Sequence, residues 1–197
     1  MSEFVKAAQN GDLNEVKRLF ALNPDIINEK DREKDTAIMK ACRDCNAVKV
    51  VAFLLENGAN INDKEYRDLI DQTPLIVAAQ NGCTDIVRIL LDAGANIEHK
   101  NDQGENALIS AAQEGHIDTV KLLLEAGADI NQSNSDGETS LDLAIRLRQK
   151  KELIELLREK TDGAMGIKKK VKRMKEKTQK KRKRSKRTIK KKKRNKY

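Results

Sequence analysis

Apolar residues return along this chain in short bursts at three- and four-residue steps, each burst closed by glycine and set off by polar stretches. Leu75, Ala78 and Ala79 form one burst and Leu108, Ala111 and Ala112 another; each is followed by a second, Ile86, Val87, Leu90 and Leu91, or Ile117, Val120, Leu123 and Leu124. That spacing puts the apolar residues on one side of an α-helix, with small residues where a neighbour must come close. It predicts pairs of short helices. Ser2, Thr36, Thr73, Asn106 and Thr139 stand at the starts, where a side-chain oxygen can accept from the free N–H groups of a first turn. Pro74 occupies the next position, where its fixed φ helps and its missing N–H is not needed. Gly82 and Gly115 break the first helix of a pair, and Gly94 and Gly127 end the second, the left-handed position that a helix C-terminus favours.

The bursts are copies of one another. TPLIVAAQNG at 73–82 is matched by NALISAAQEG at 106–115, TAIMKACRDC at 36–45, TSLDLAIRLR at 139–148 and SEFVKAAQNG at 2–11; ILLDAGANI at 89–97 is matched by LLLEAGADI at 122–130 and FLLENGANI at 53–61. Gly94 and Gly127 are 33 apart, Gly58 and Gly94 36 apart. A helix pair this short cannot bury its apolar side alone, so the stack of pairs must itself be the core. Polar connections such as Glu98–Glu105 and Gln132–Glu138, with Gly104 and Gly137, suit projecting hairpins. The period, the TPLxxAAxxG and LLLxxGAxxN segments and the turn glycines resemble ankyrin repeats over about residues 2–160. The resemblance implies an all-α solenoid of about five helix-turn-helix units with β-hairpin fingers, residues 1–162, followed by a tail, 163–197.

Departures fall at definite places. The first full repeat carries an extra residue near Asn46, with Cys45 where glycine belongs, and its outgoing finger, Asn62–Gln72, is three residues longer than the next and lacks glycine. The last unit has Arg148 in the glycine slot and the first has Asn23-Pro24 in place of Gly-Ala, as terminal caps would.

Charge divides the chain again. Residues 1–163 hold 20 Lys/Arg against 30 Asp/Glu, whereas 164–197 hold 20 against Glu176 alone. The tail is too poor in apolar residues to fold by itself, and is expected to be disordered or partly helical. Its runs include Lys168, Lys169, Lys170, Lys172 and Arg173; Lys180, Lys181, Arg182, Lys183 and Arg184; and Lys190, Lys191, Lys192, Lys193 and Arg194. At this density they are expected to bind nucleic acid or another polyanion by counterion release, or to serve as a nuclear localisation signal; a membrane surface and fold-back onto the acidic repeats are the alternatives. No aromatic residue is interleaved, Tyr197 apart, so charge rather than base sequence would be read.

Enzyme chemistry finds no footing in the sequence. GxGxxG, Walker, GxSxG and HExxH patterns are absent, and no cofactor or metal is expected. Cys42 and Cys45 form a C-x-x-C, but Cys42 holds the small-residue slot of Ala79 and Ala112, and Cys83 stands alone. An odd cysteine count, which cannot all pair within the chain, and no leader-like N-terminus point to a reducing, intracellular setting, cytoplasmic or nuclear. No apolar run approaches the length of a membrane span, and a monomer is expected. His116 sits in the slot where the family has a turn-bonding histidine.

The resemblance also implies where a partner protein is held: on a concave face made of finger tips and first-helix ends. Here these are Arg32, Glu33 and Asp35; Tyr66, Leu69, Ile70 and Gln72; Asp102, Gln103 and Glu105; Ser135, Asp136 and Glu138 in the fingers, with Arg43, Asp44, Gln80, Asn81, Gln113 and Glu114 on the helices. Tyr66, Leu69 and Ile70 put apolar side chains on the enlarged finger, either as an interface anchor or packed back on the stack. The expected function is a protein-interaction adaptor whose tail localises it. The rival is a nucleic-acid-associated protein whose tail is the main binding element.

Overall fold

A computed structural model of the chain describes residues 2–63, 65–67 and 70–163. Helices follow in pairs: α1 (Glu3–Gln9) with α2 (Leu13–Leu22), α3 (Ala37–Ala41) with α4 (Val48–Glu56), α5 (Pro74–Gln80) with α6 (Thr84–Asp92), and α7 (Ala107–Glu114) with α8 (Ile117–Glu125). α9 (Ser140–Arg146) precedes a last helix, α10, over 151–163. A short 3₁₀ turn, Pro24–Asn28, follows α2. The chain divides into a unit Met1–Leu157 and a second, Arg158–Tyr197.

Within the first unit the odd-numbered helices touch one another in succession, α1 to α3 to α5 to α7 to α9, and the even-numbered ones do the same from α2 to α8. The core runs between these layers. Phe4, Ile38, Leu75, Leu108 and Leu143 from the first helices meet Val16, Leu54, Leu90 and Leu123 from the second, all essentially inaccessible, and α10 contributes Leu153 and Leu157. Ala41, Ala78, Ala111 and Ala144 are buried in step, which is why small residues recur there: adjacent first helices approach over them.

The predicted caps are met in part. Thr73 accepts from the N–H of Ile76, Asn106 from that of Ile109, and Thr139 shares a reciprocal capping box with Asp142. Ser2 and Thr36 hold the N-cap position without a side-chain cap bond. Arg148 takes the left-handed conformation of the glycines it replaces, φ 54°, at a cost of about 1–2 kcal/mol.

The fingers need correction. Only the enlarged one is a paired ladder among the described residues: β1 (Glu65–Arg67) runs antiparallel to β2 (Ile70–Gln72), with Tyr66 opposite Asp71 and Arg67 opposite Ile70. The others are tight turns closed by one device. Asp31, Asn101 and Asn134 each accept, through Oδ1, from the N–H groups two and four residues on. The fourth residue, Lys34, Gly104 or Gly137, is left-handed at φ 65°, 74° or 79°. These side chains satisfy the turn's donors, and Ser133 and Thr139 still pair as an isolated antiparallel bridge at the base of the last finger.

Cys83, expected to stand alone, does not. Cys45 and Cys83 are joined by a disulfide, and the remaining thiol, Cys42, is buried in its alanine slot. Spacing alone gave no reason to pair residues 38 positions apart; the repeat register brings them side by side.

Candidate partner-binding face

The side chains expected to face a partner come from two places in each repeat, the finger exit and the end of the first helix eight residues later. Because those two points lie over one another, their side chains meet. In the first full repeat Asp35 Oδ2 lies 3.2 Å from an Arg43 guanidinium nitrogen; in the next, Gln72 donates to Gln80 Oε1 at 3.2 Å. In the last, Arg146 makes a forked pair with both oxygens of Glu138, at 2.8 and 3.0 Å. The fourth copy of this rung is Glu105 with Gln113, where the sequence offers no cation.

Glu105 is consequently the uncompensated acid of the ladder. Half-burial raises its pKa, its bond with Asn101 works the other way, and the negative charges of Glu114 and Asp136 raise it further. Asp102, Gln103, Ser135 and Asp136 are exposed at the tips of these two fingers, Gln80, Asn81 and Glu114 at the helix ends, and Gln113 is half-buried beside them. The fingers rest on each other: the Ser135 N–H donates to the Gln103 carbonyl at 2.9 Å, and Lys100 Nζ reaches the Ser133 carbonyl at 2.8 Å. Gly104 permits this contact, since a Cβ there would lie 2.7 Å from the Ser135 nitrogen.

At the front of the stack the same positions turn inward. Asp35 is buried, and the side chain of Asp31 is too; both face Lys40, whose ammonium is 2.9 Å from Asp35 and 3.8 Å from Asp31 and also bonds Glu33. Burial opposes the charge on Lys40, but the bonds it donates to Asp35 and Glu33 outweigh that and hold its pKa above its ordinary value. Asp35, expected to meet a partner, is spent on this cage, while Arg32 and Glu33 remain exposed and Arg43 and Asp44 half-buried. Lys40 fills the buried slot held by Val77, Ser110 and Leu143 in the three later repeats, whereas Lys6 in the same slot of the first unit is exposed. A lysine in that slot, with three acids in the finger before it, was the signal that the sequence reading passed over.

Two more residues on this face escaped it. Arg146 and Leu147 occupy the slots of Gln113 and Glu114, and Leu147 is 42% exposed. Gln72 is half-buried; Tyr66 and Ile70 lie on β1 and β2, and Leu69 falls outside the described residues. The tail runs Lys168–Arg173, Lys180–Arg184 and Lys190–Arg194 also lie outside the described residues.

Next to Gln80, His116 and its neighbours are already engaged. Its Nε2 lies 3.0 Å from the Gln80 carbonyl, and its ring covers Gly82. A cleft of about 330 Å³ beside it is lined by Thr84, Thr119, Lys150 and Glu152 among others. The two threonine hydroxyls bond each other at 2.8 Å. Burial pushes the Cys42 thiol far up, which keeps it protonated and inert.

Stacked helix pairs with finger-to-helix rungs define a repeat scaffold. A family model described as ankyrin repeats (3 copies) matches residues 4–101 and 94–172, and the chain belongs to the ankyrin-repeat family. It is 32% identical over half its length to a probable E3 ubiquitin-protein ligase of Oryza sativa subsp. japonica, of which the match spans 19%. It is 38% identical over 31% of its length to the fem-1 homolog A protein of Danio rerio, covering 9% of that protein, and 32% identical over 52% to the human ankyrin repeat and SOCS box protein 11, covering 30%. The chain thus spans less than a third of each of these relatives. Among the described residues, no helix is long and apolar enough to cross a membrane.

Proposed function

We propose that the repeats of residues 1–162 bind a partner protein through the finger and first-helix face, and that the partner supplies a cation to Glu105. The observation that carries this reading is the broken rung. Asp35 and Glu138 are each neutralised by an arginine of the chain itself, eight residues on, whereas Glu105 is followed by Gln113 and flanked by Glu114 and Asp136. Charge kept half-buried without a counterion opposes folding, and a basic side chain from a partner relieves it. Tyr66, Leu69, Ile70 and Leu147 then serve as apolar contacts around an acidic centre. The tail, 163–197, adds charge-driven localisation on a polyanion. Interaction modules of this kind bring proteins together rather than catalyse, so the chain acts as an adaptor.

Gln113→Arg tests this directly, because it completes the rung with the chain's own cation. The full chain and the variant are compared for proteins retained from lysate and for melting temperature. A variant that melts no lower yet loses a specific retained protein supports the reading; one that retains the same proteins with equal affinity refutes it. Deleting 164–197 separates the rival: if everything retained is nucleic acid and depends on the tail, the tail is the main binding element.

A further inference from the structure

The repeat register places Cys45 in the slot of Gly82 and Gly115, and Cys83 in the slot of His116 and Gln149. At every later interface these two slots are the clasp between neighbouring repeats. His116 lies over Gly82 and bonds the Gln80 carbonyl; Gln149 lies over Gly115 and bonds the Gln113 carbonyl. The glycines are required there because a Cβ would collide with the clasping side chain. At the interface between α3/α4 and α5/α6 both partners are replaced together: the glycine gains a side chain, the histidine shrinks, and the two sulfurs fill the space. The added residue near Asn46 lets this happen. With Asp44 accepting from the Asn46 N–H, the turn closes with no left-handed residue between 42 and 47, so a cysteine fits where its neighbours need glycine.

We infer that Cys45–Cys83 is a reversible redox site that locks and unlocks this one interface of the stack. Its two sulfurs are unequal. Cys45 is exposed, whereas Cys83 is 2% accessible and heads α6. In closure by a low-molecular-weight disulfide, the Cys45 thiolate attacks one of its sulfurs, forming a mixed disulfide and expelling a small thiolate. The Cys83 thiolate then attacks Cys45 Sγ, expelling the second. Two electrons pass from the cysteine pair to the reagent, and the two protons end on the two small thiols. An excess of small thiol, entering at exposed Cys45, runs the same steps backwards. Cys42 takes no part, being wholly buried three residues away. The pair is flanked by Arg43–Asp44 and Gln80–Asn81, so its state sets how firmly adjacent helix ends are held together.

The full-length protein is equilibrated in glutathione buffers of graded ratio, quenched by alkylation, and mapped by mass spectrometry, with melting temperature read in parallel. The expected result is a Cys45–Cys83 linked peptide that titrates reversibly, with the oxidised form melting roughly 10 °C above the reduced one. Cys42→Ala leaves both readouts unchanged; Cys45→Ser, at the exposed position, abolishes both. Absence of the linked peptide at every ratio, linkage through Cys42, or identical melting of the two forms overturns the inference.

Discussion

Removing the charge of Lys40 should be the most damaging conservative change at the front of the stack. Its side chain is 2% exposed and those of Asp31 and Asp35 0%, so neither acid can turn to water when the ammonium is taken away; Glu33, at 46%, can. Breaking a buried pair by deleting one partner costs about 3–5 kcal/mol. Arg43 still reaches Asp35, which places Lys40→Met near the lower end, about 3 kcal/mol. For a domain of this size that lowers the melting temperature by roughly 10 °C. The measurement is urea unfolding of wild type, Lys40→Met, Asp35→Asn and the double variant, followed by circular dichroism. A coupling of at least about 1 kcal/mol is expected. The folded pKa of Lys40 is raised above its ordinary 10.5, so the contribution is complete below that value and fades as pH rises through the folded pKa. A loss under about 1 kcal/mol at pH 7, or no coupling, would show that the cage does not hold this repeat together.

Glu105→Gln should stabilise the protein at pH 7 by a few tenths of a kcal/mol, the effect being discounted for partial exposure. Because its folded pKa lies above the ordinary 4.5, the native state takes up the proton first on acidification, and the gain should vanish by about pH 4 in a stability-versus-pH series. Gly104→Ala should cost about 2–3 kcal/mol in denaturant unfolding, since it combines left-handed backbone with a collision on the Ser135 nitrogen. Lys34→Gly, at the matching position of the first finger, should instead stabilise by roughly 0.5–1 kcal/mol. Asp142→Asn should cost about 0.5–1 kcal/mol at pH 7; bonds from Thr139 hold that carboxyl below 3.8, so the difference should close as pH falls through the folded pKa.

Much of the stack was legible because its instructions are local and repeated. Gly58, Gly82, Gly94, Gly115 and Gly127 are all left-handed, and Thr73, Asn106 and Thr139 cap as their residue types predict. What escaped reading depends on contacts between repeats or on one copy differing from the rest. Lys40 is an ordinary lysine until its slot is aligned with Val77 and Leu143. Cys45 and Cys83 meet only through the clasp geometry that His116 and Gln149 reveal. Asp35 was assigned outward by analogy with the other fingers, and the buried ammonium beneath it turns it inward. The face was legible as a set of positions, whereas the distinction between paired rungs and the open one at Glu105 required seeing which side chains meet.

The central claim is that contact occurs on the finger and first-helix side. Photo-crosslinking residues placed singly at Asn81, Glu114 and Asp136, and for comparison at Asp85, Asp92 and Glu125 on the second helices, test it most directly against a retained partner protein. The account predicts crosslinks from the first three positions, suppressed by Gln113→Arg, and none from the last three. Crosslinks confined to the second-helix positions, or unaffected by that substitution, would contradict it.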